Sequence, residues 1–219
     1  MRRSYKVGVV PSTMCRVADP AENAPLLEAA EALARKRLSD KRYGHTVRVA
    51  DTAEGLAQIH SLDPNRTRLA ALLHDAARET AEPEDYLRLA DEWGLAVGEL
   101  ERKSPKLLHG PVAAELARRE LGVEDEEVLE AVRVHTVGAA GIGVLALALY
   151  VADKIEPARD YPSVGRIRDL AREDLYEAAA ESLRRAIGHN EGRGKPIHPA
   201  SREMLEWLEH TKNAAHRGI

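Results

Sequence analysis

Leu69-Ala70-Ala71-Leu72-Leu73-His74-Asp75 is the stretch on which the fold and the chemistry both turn. An apolar run of helix-forming residues meets an imidazole and a carboxylate where polar sequence begins. A neutral imidazole nitrogen and a carboxylate oxygen are good donors to borderline divalent ions, and the second carboxylate oxygen can bridge to another ion. Taken alone, His74 and Asp75 fit a helix end and a turn equally well, so the flanking sequence has to decide.

Working outward, Asp63-Pro64 supplies an N-cap and a first-turn proline for the helix that delivers His74 and Asp75. Before it, Leu26, Leu27, Ala30, Leu33, Ala34 and Leu38 recur at helical spacing from Pro25 onward, and Ser39-Asp40 stops that helix and caps the next. That second helix is predicted over about residues 41–60, carries His45 near its start, and has Val47, Ala50, Ala53, Leu56, Ala57 and Ile59 on its buried side. After the His-Asp pair, Glu82-Pro83-Glu84 opens a helix that Trp93-Gly94 closes, and Leu107-Leu108-His109-Gly110-Pro111 sets a histidine at the entrance of another that ends at Gly122. Residues 124–137 form the next and bring His135 to its end. Gly138, Gly141 and Gly143 make a flexible connection into Val144–Ala152, apolar almost all round and therefore central, which runs into Asp153. Two last helices, around 172–187 and 201–215, are separated by the polar 188–196 loop.

The chain has 219 residues, 44% of them hydrophobic, no phenylalanine, and a dominance of Ala, Leu, Glu and Arg. These features predict one all-α domain, a helical bundle occupying residues 25–219, preceded by an extension over 1–24 with a single short strand at 5–10. A net charge of -4 gives no basic field for a DNA or RNA polymer. The longest apolar run, Val144–Ala152, is about half of a membrane span, and the N-terminal Val7-Gly8-Val9-Val10 is broken by Pro11 before it reaches signal-peptide length. Cys15 is alone, which excludes an intrachain disulfide and a cysteine-based metal site and fits the cytoplasm.

His45, His74, Asp75, His109, His135 and Asp153 thus stand at or near the ends of different apolar helices, the adjacent pair sharing one. Helix ends on one side of a bundle can converge on a cleft while the apolar bodies hold them rigid. Asp153 is the most telling, because a carboxylate at the negative end of a helix dipole needs a compensating cation.

This order, His … His-Asp … His … His … Asp, resembles the HD-domain superfamily of metal-dependent phosphohydrolases, an all-helical group. Arg42-Tyr43-Gly44-His45, Leu107-Leu108-His109-Gly110-Pro111-Val112, His135-Thr136-Val137-Gly138 and Ala152-Asp153-Lys154-Ile155-Glu156-Pro157-Ala158-Arg159-Asp160-Tyr161-Pro162 look like the bacterial YqeK family of symmetrical diadenosine tetraphosphate hydrolases, over about residues 26–210. The chain departs from that family at Ala76-Ala77-Arg78, where an aromatic residue and a lysine are usual. The resemblance implies a single-domain bundle of the HD-domain type, two divalent ions with iron favoured over manganese, cobalt or nickel, and cleavage of the substrate into two ADP. It implies His45, His74 and Asp153 on one ion, His109 and His135 on the other, and Asp75 as the bridge and catalytic carboxylate. Arg42, Arg78, Thr136, Gly138, Lys154 and Arg159 adjoin those segments and are the candidate contacts to a nucleotide. Competing expectations are an HD-type phosphohydrolase acting on another nucleotide, and a nucleotide-binding module without catalysis. His60, His189, His210 and His216 are expected at the surface, and His198 is expected to order the C-terminal helix.

Overall fold

Ser39 separates the first two long helices by turning its Oγ onto the backbone N–H of Arg42, the first of a series of caps that punctuate the chain. This computed structural model describes residues 20–79 and 82–216, so the expected strand at 5–10 and most of the 1–24 extension lie outside the described residues. Among the described residues there are eleven α-helices and no strand. They are α1 (Pro20–Arg37), α2 (Asp40–Ile59), α3 (Pro64–Leu73), α4 (Pro83–Glu92), α5 (Glu99–Lys103), α6 (His109–Leu121), α7 (Glu126–Val134), α8 (Val144–Ile155), α9 (Val164–Glu173), α10 (Leu175–Glu191) and α11 (Pro199–His216). A 3-10 turn, Pro105–Leu108, leads into α6.

The expected caps are in place. Asp63 accepts from the N–H groups of Asn65 and Arg66 at the head of α3, and Gly122 closes α6 in the left-handed conformation at φ +66°. Asp125, a cap not expected, does the same as Asp63 for Glu127 and Val128, so that α7 starts at Glu126 rather than at 124. Differences lie between these marks. Helix α1 starts five residues before Pro25. Helices α5 and α9 were not expected; both are short and rich in charge, although Val164, Ile167, Leu170 and Ala171 of α9 recur at helical spacing. The predicted helix at 172–187 is two helices parted at Asp174, whose carboxylate caps α10. Helix α7 stops at Val134, three residues earlier than expected, so that His135 begins a turn.

Helix α8 is the axis of the fold. Every residue from Leu145 to Asp153 is buried, and α2, α3, α7, α9 and α10 pack around it. Leu147 and Leu149 have no exposed surface, and truncating either to alanine would cost about 2–5 kcal/mol. On α2 the buried stripe is His45, Thr46, Val49, Ala50, Ala53, Leu56 and Ala57. Val47 and Ile59 therefore do not belong to the buried side, and Ile59 is half exposed, because the stripe is set by where α3 and α8 press rather than by apolar identity. His60 is likewise not simply at the surface: its Nε2 donates to the carbonyl of Ala171, tying α2 to α9.

Arg168 of α9 pins the segment after α8. Its guanidinium donates to the carbonyls of Ile155, Glu156 and Arg159 at 3.0–3.1 Å, which satisfies carbonyls left open where α8 ends.

Candidate metal centre

The ends of α2, α3, α6, α7 and α8 meet at one buried polar cluster. His45, His74, Asp75, His109, His135 and Asp153, all expected as ligands, are each no more than 7% exposed, with His74 fully buried. Each imidazole is anchored through Nδ1: His45 to Glu156 Oε1 (3.2 Å), His74 to the carbonyl of Ala71 (2.6 Å), His109 to that of Lys106 (2.6 Å) and His135 to that of Val132 (2.8 Å). An acceptor at Nδ1 requires the hydrogen on that nitrogen, so the Nε2 lone pairs face inward.

Asp75 divides the cluster. Its Oδ2 lies 3.5 Å from His74 Nε2 and 4.0 Å from His45 Nε2, while its Oδ1 lies 3.4 Å from His109 Nε2 and 3.6 Å from His135 Nε2. His45 Nε2 is also 3.1 Å from Asp153 Oδ1. Two triads have donor atoms close enough to share one ion: His45–His74–Asp153, the grouping expected for the first ion, and His74–Asp75–His135, which has His74 where His109 was expected, although His109 Nε2 lies 3.0 Å from His135 Nε2.

Whether these residues fit a cation can be judged from the unmatched atoms. His45 Nε2 and His74 Nε2 are buried without a hydrogen bond of acceptable geometry. His109 Nε2 and His135 Nε2 stand 3.0 Å apart with their lone pairs towards each other, and the single hydroxyl hydrogen of Thr136, at 3.0 and 3.1 Å, can satisfy only one of them. Leaving such groups unpaired would cost about 1–3 kcal/mol each. Divalent cations held by these nitrogens would satisfy them, since the free nitrogen of a neutral imidazole is a ligand to such ions.

Both carboxylates draw positive partners. Burial works against ionised Asp75 and Asp153, yet positive charge on His74, itself raised against burial by Asp75, holds the first well below the usual range, and Lys154 holds the second there. A cation beside neutral rings would take over the part of a protonated His74. Burial pushes His135 down to about 4, keeping it neutral.

Cations ring the carboxylates. Arg42 Nη1 donates to Asp75 Oδ2 (3.0 Å), Lys154 Nζ to Asp153 Oδ2 (2.6 Å) and Arg159 Nη2 to Asp153 Oδ1 (2.8 Å). Arg78 Nη1 lies 3.1 Å from the ring of His109. Of the expected substrate contacts, Gly138 is the one that the structure accounts for otherwise: it is buried at φ +76°, and a Cβ there would run into Met204 Sδ of α11. Its connection is thus a packed turn rather than a flexible one.

A match to the HD domain family covers residues 42–158. The chain belongs to the HD-domain family. Among its HD-domain relatives, the symmetrical bis(5'-nucleosyl)-tetraphosphatase of Bacillus subtilis is 37% identical over 83% of this chain and 96% of its own length. The Staphylococcus aureus protein of the same name is 38% identical over 66% and 74%. A crystal structure from Clostridium acetobutylicum, described as that of a predicted HD superfamily hydrolase involved in NAD metabolism, superposes with a TM-score of 0.81 at 32% identity, covering 84% of this chain and 97% of that one.

One participant escaped the sequence reading. Glu156, 3% exposed, braces His45 and is itself fixed by Arg48 Nε (2.7 Å) and the Ala158 N–H (2.8 Å). Its only sequence signal is a place three residues after Asp153, one helical turn on. His198 does order α11, with Nε2 donating to Glu101 (2.8 Å) and Nδ1 accepting from the Ala200 N–H.

Proposed function

We propose that this chain is a metal-dependent hydrolase of phosphoric anhydrides that cuts diadenosine tetraphosphate between its two central phosphates, giving two ADP. The observation that carries the reading is the division of Asp75, one oxygen towards His45 and His74 and the other towards His109 and His135. That arrangement suits a carboxylate shared by two ions, with His45, His74 and Asp153 serving the first and His109 and His135 the second. The named relatives, similar over most of their length, supply the substrate. A single phosphohydrolase domain over residues 25–219 and a cytoplasmic setting, where Cys15 stays reduced, belong to the same reading.

Divalent ions at this site, iron favoured, would activate water and neutralise phosphoryl oxygens. The protein's own groups do the rest. Arg42 uses one Nη on Asp75, and Lys154 one of its three hydrogens on Asp153, so both keep donors for a tetraphosphate chain. Arg159 adds a further guanidinium, anchored by its Nε to the Asp153 carbonyl (2.9 Å), and Thr136 a hydroxyl. The apolar core behind the cluster keeps the ligating rings from turning.

The test is anion-exchange analysis of products from diadenosine tetraphosphate with anaerobically iron-loaded protein and an Asp75→Ala control. ADP as sole product, lost in the control, is expected. AMP plus ATP would reject symmetrical cleavage, and a protein that retains no metal would reject the centre.

A further inference from the structure

We propose, resting on the hydrolase reading above, that the chain grips only one nucleoside of its symmetrical substrate, and that it therefore also hydrolyses adenosine 5'-tetraphosphate to ADP and pyrophosphate.

Two unlike clefts meet at Lys154. The first has a volume of about 560 Å³ and opens between the turn preceding α6, α10 and the loop before α11. Its inner end holds Thr136, whose hydroxyl touches His109 and His135, and Lys154, whose ammonium touches Asp153. Its walls are mainly apolar, with Leu107, Val137, Ile187 and Ile197 among them. Pockets for ligands of nucleotide size span roughly 300–1,000 Å³, with apolar walls and a few polar groups that fix orientation. This cleft has that form: phosphates at the cationic inner end beside the cluster, a purine base among the aliphatic walls.

The second cleft, about 440 Å³, lies on the other side of Lys154 and is bordered by Arg159, Asp160, Tyr161 and Arg185. It offers no comparable platform for a base. The one aromatic ring there, Tyr161, is already covered by the Arg185 guanidinium, 3.5 Å from its centroid, and its hydroxyl donates to the Lys154 carbonyl (2.9 Å). Guanidinium and ammonium groups suit a phosphate chain instead. A substrate spanning both clefts would leave its second nucleoside outside them, so removing that nucleoside should cost little.

In the reaction, the bridge between the second and third phosphates opens. Water oxygen forms the new P–O bond to one phosphorus, the bridging oxygen leaves with the other, and a proton goes to solvent. Adenosine 5'-tetraphosphate plus water thus becomes ADP plus pyrophosphate, with no other reactant.

Metal-loaded full-length protein would be assayed on diadenosine tetraphosphate and adenosine 5'-tetraphosphate, and titrated with ADP by calorimetry. The expected results are kcat/KM values within about tenfold of each other, ADP and pyrophosphate as the only products of the second substrate, and one ADP bound per chain. Ile197→Glu, a charge in the apolar wall, should raise KM for both substrates by a common factor of about ten to a hundred with metal content unchanged, and the milder Ile197→Ser should act in the same direction. Turnover of the dinucleotide alone, ATP or AMP from adenosine 5'-tetraphosphate, two equivalent ADP sites, or indifference to Ile197→Glu would each overturn the proposal. If neither nucleotide is cleaved, the hydrolase reading falls, while the ADP titration still decides the cleft: one ADP lost in Ile197→Glu supports it, and no ADP overturns it.

Discussion

Glu156 accepts the Nδ1 hydrogen of His45 at 3.2 Å, which makes His45 the one imidazole of the cluster braced by a carboxylate, while the other three lean on backbone carbonyls. A carboxylate partner raises the basicity of the opposite nitrogen and fixes the ring's orientation. Glu156→Ala is therefore expected to weaken metal binding about 10–100-fold, with Glu156→Gln retaining more because its amide oxygen still accepts. Metal content after dialysis against graded chelator measures this directly. Equal retention by both variants and the parent would show that the brace is not needed.

Arg42 touches Asp75 from a third-exposed position and is not a ligand. Arg42→Ala should raise KM for a tetraphosphate substrate about tenfold, roughly 1.4 kcal/mol, while the bound metal stays constant. Arg42→Lys should recover only part of that loss, since an ammonium cannot present a guanidinium's fork. Loss of metal in Arg42→Ala would instead make it a structural support of Asp75.

Gly138→Ala should destabilise the fold by about 1–3 kcal/mol, from the left-handed backbone at φ +76° and the collision with Met204. Urea denaturation would register it as a lower midpoint with an unchanged slope. Pairing it with Met204→Ala should recover the collision part and leave the backbone part.

Arg66 binds Asp125 with both Nε and Nη2, at 2.6 and 2.7 Å, across the start of α7. Burial tends to raise the carboxyl, but Arg66 and the capping N–H groups bring it below its ordinary value. A depressed carboxyl contributes stability above its unfolded pKa, about 3.9, and loses it as pH falls through the folded value. The stability gap between parent and Arg66→Met should hold steady above about pH 5 and shrink below 4, as measured by denaturation at several pH values. A gap independent of pH would mean that packing, not charge, holds this corner.

The ligands were legible because each stands at or near one terminus of an apolar helix with a readable boundary: His45 and His109 close to helix starts, His74 after the helix that Asp63-Pro64 opens, and Asp153 after Val144–Ala152. Helix caps depend on neighbours in the chain, so Ser39, Asp63 and Gly122 could be read without knowing the fold. What depended on distant elements could not. Glu156 matters only because α2 brings His45 to it from 111 residues away, and Gly138 looked like a nucleotide contact until α11 placed Met204 against it. Ile59 shows the converse: apolar, in register, and half exposed among the described residues.

Arg168 is not among the ligands, yet it grips the carbonyls of Ile155, Glu156 and Arg159. Fraying of α9 therefore cannot occur without releasing the strip that carries the brace of His45 and one of the cations on Asp153. Local opening of an outer helix and loss of the metal become one thermodynamic event. Binding at the centre should then slow amide exchange in α9 as well as in α8, although α9 contributes no ligand.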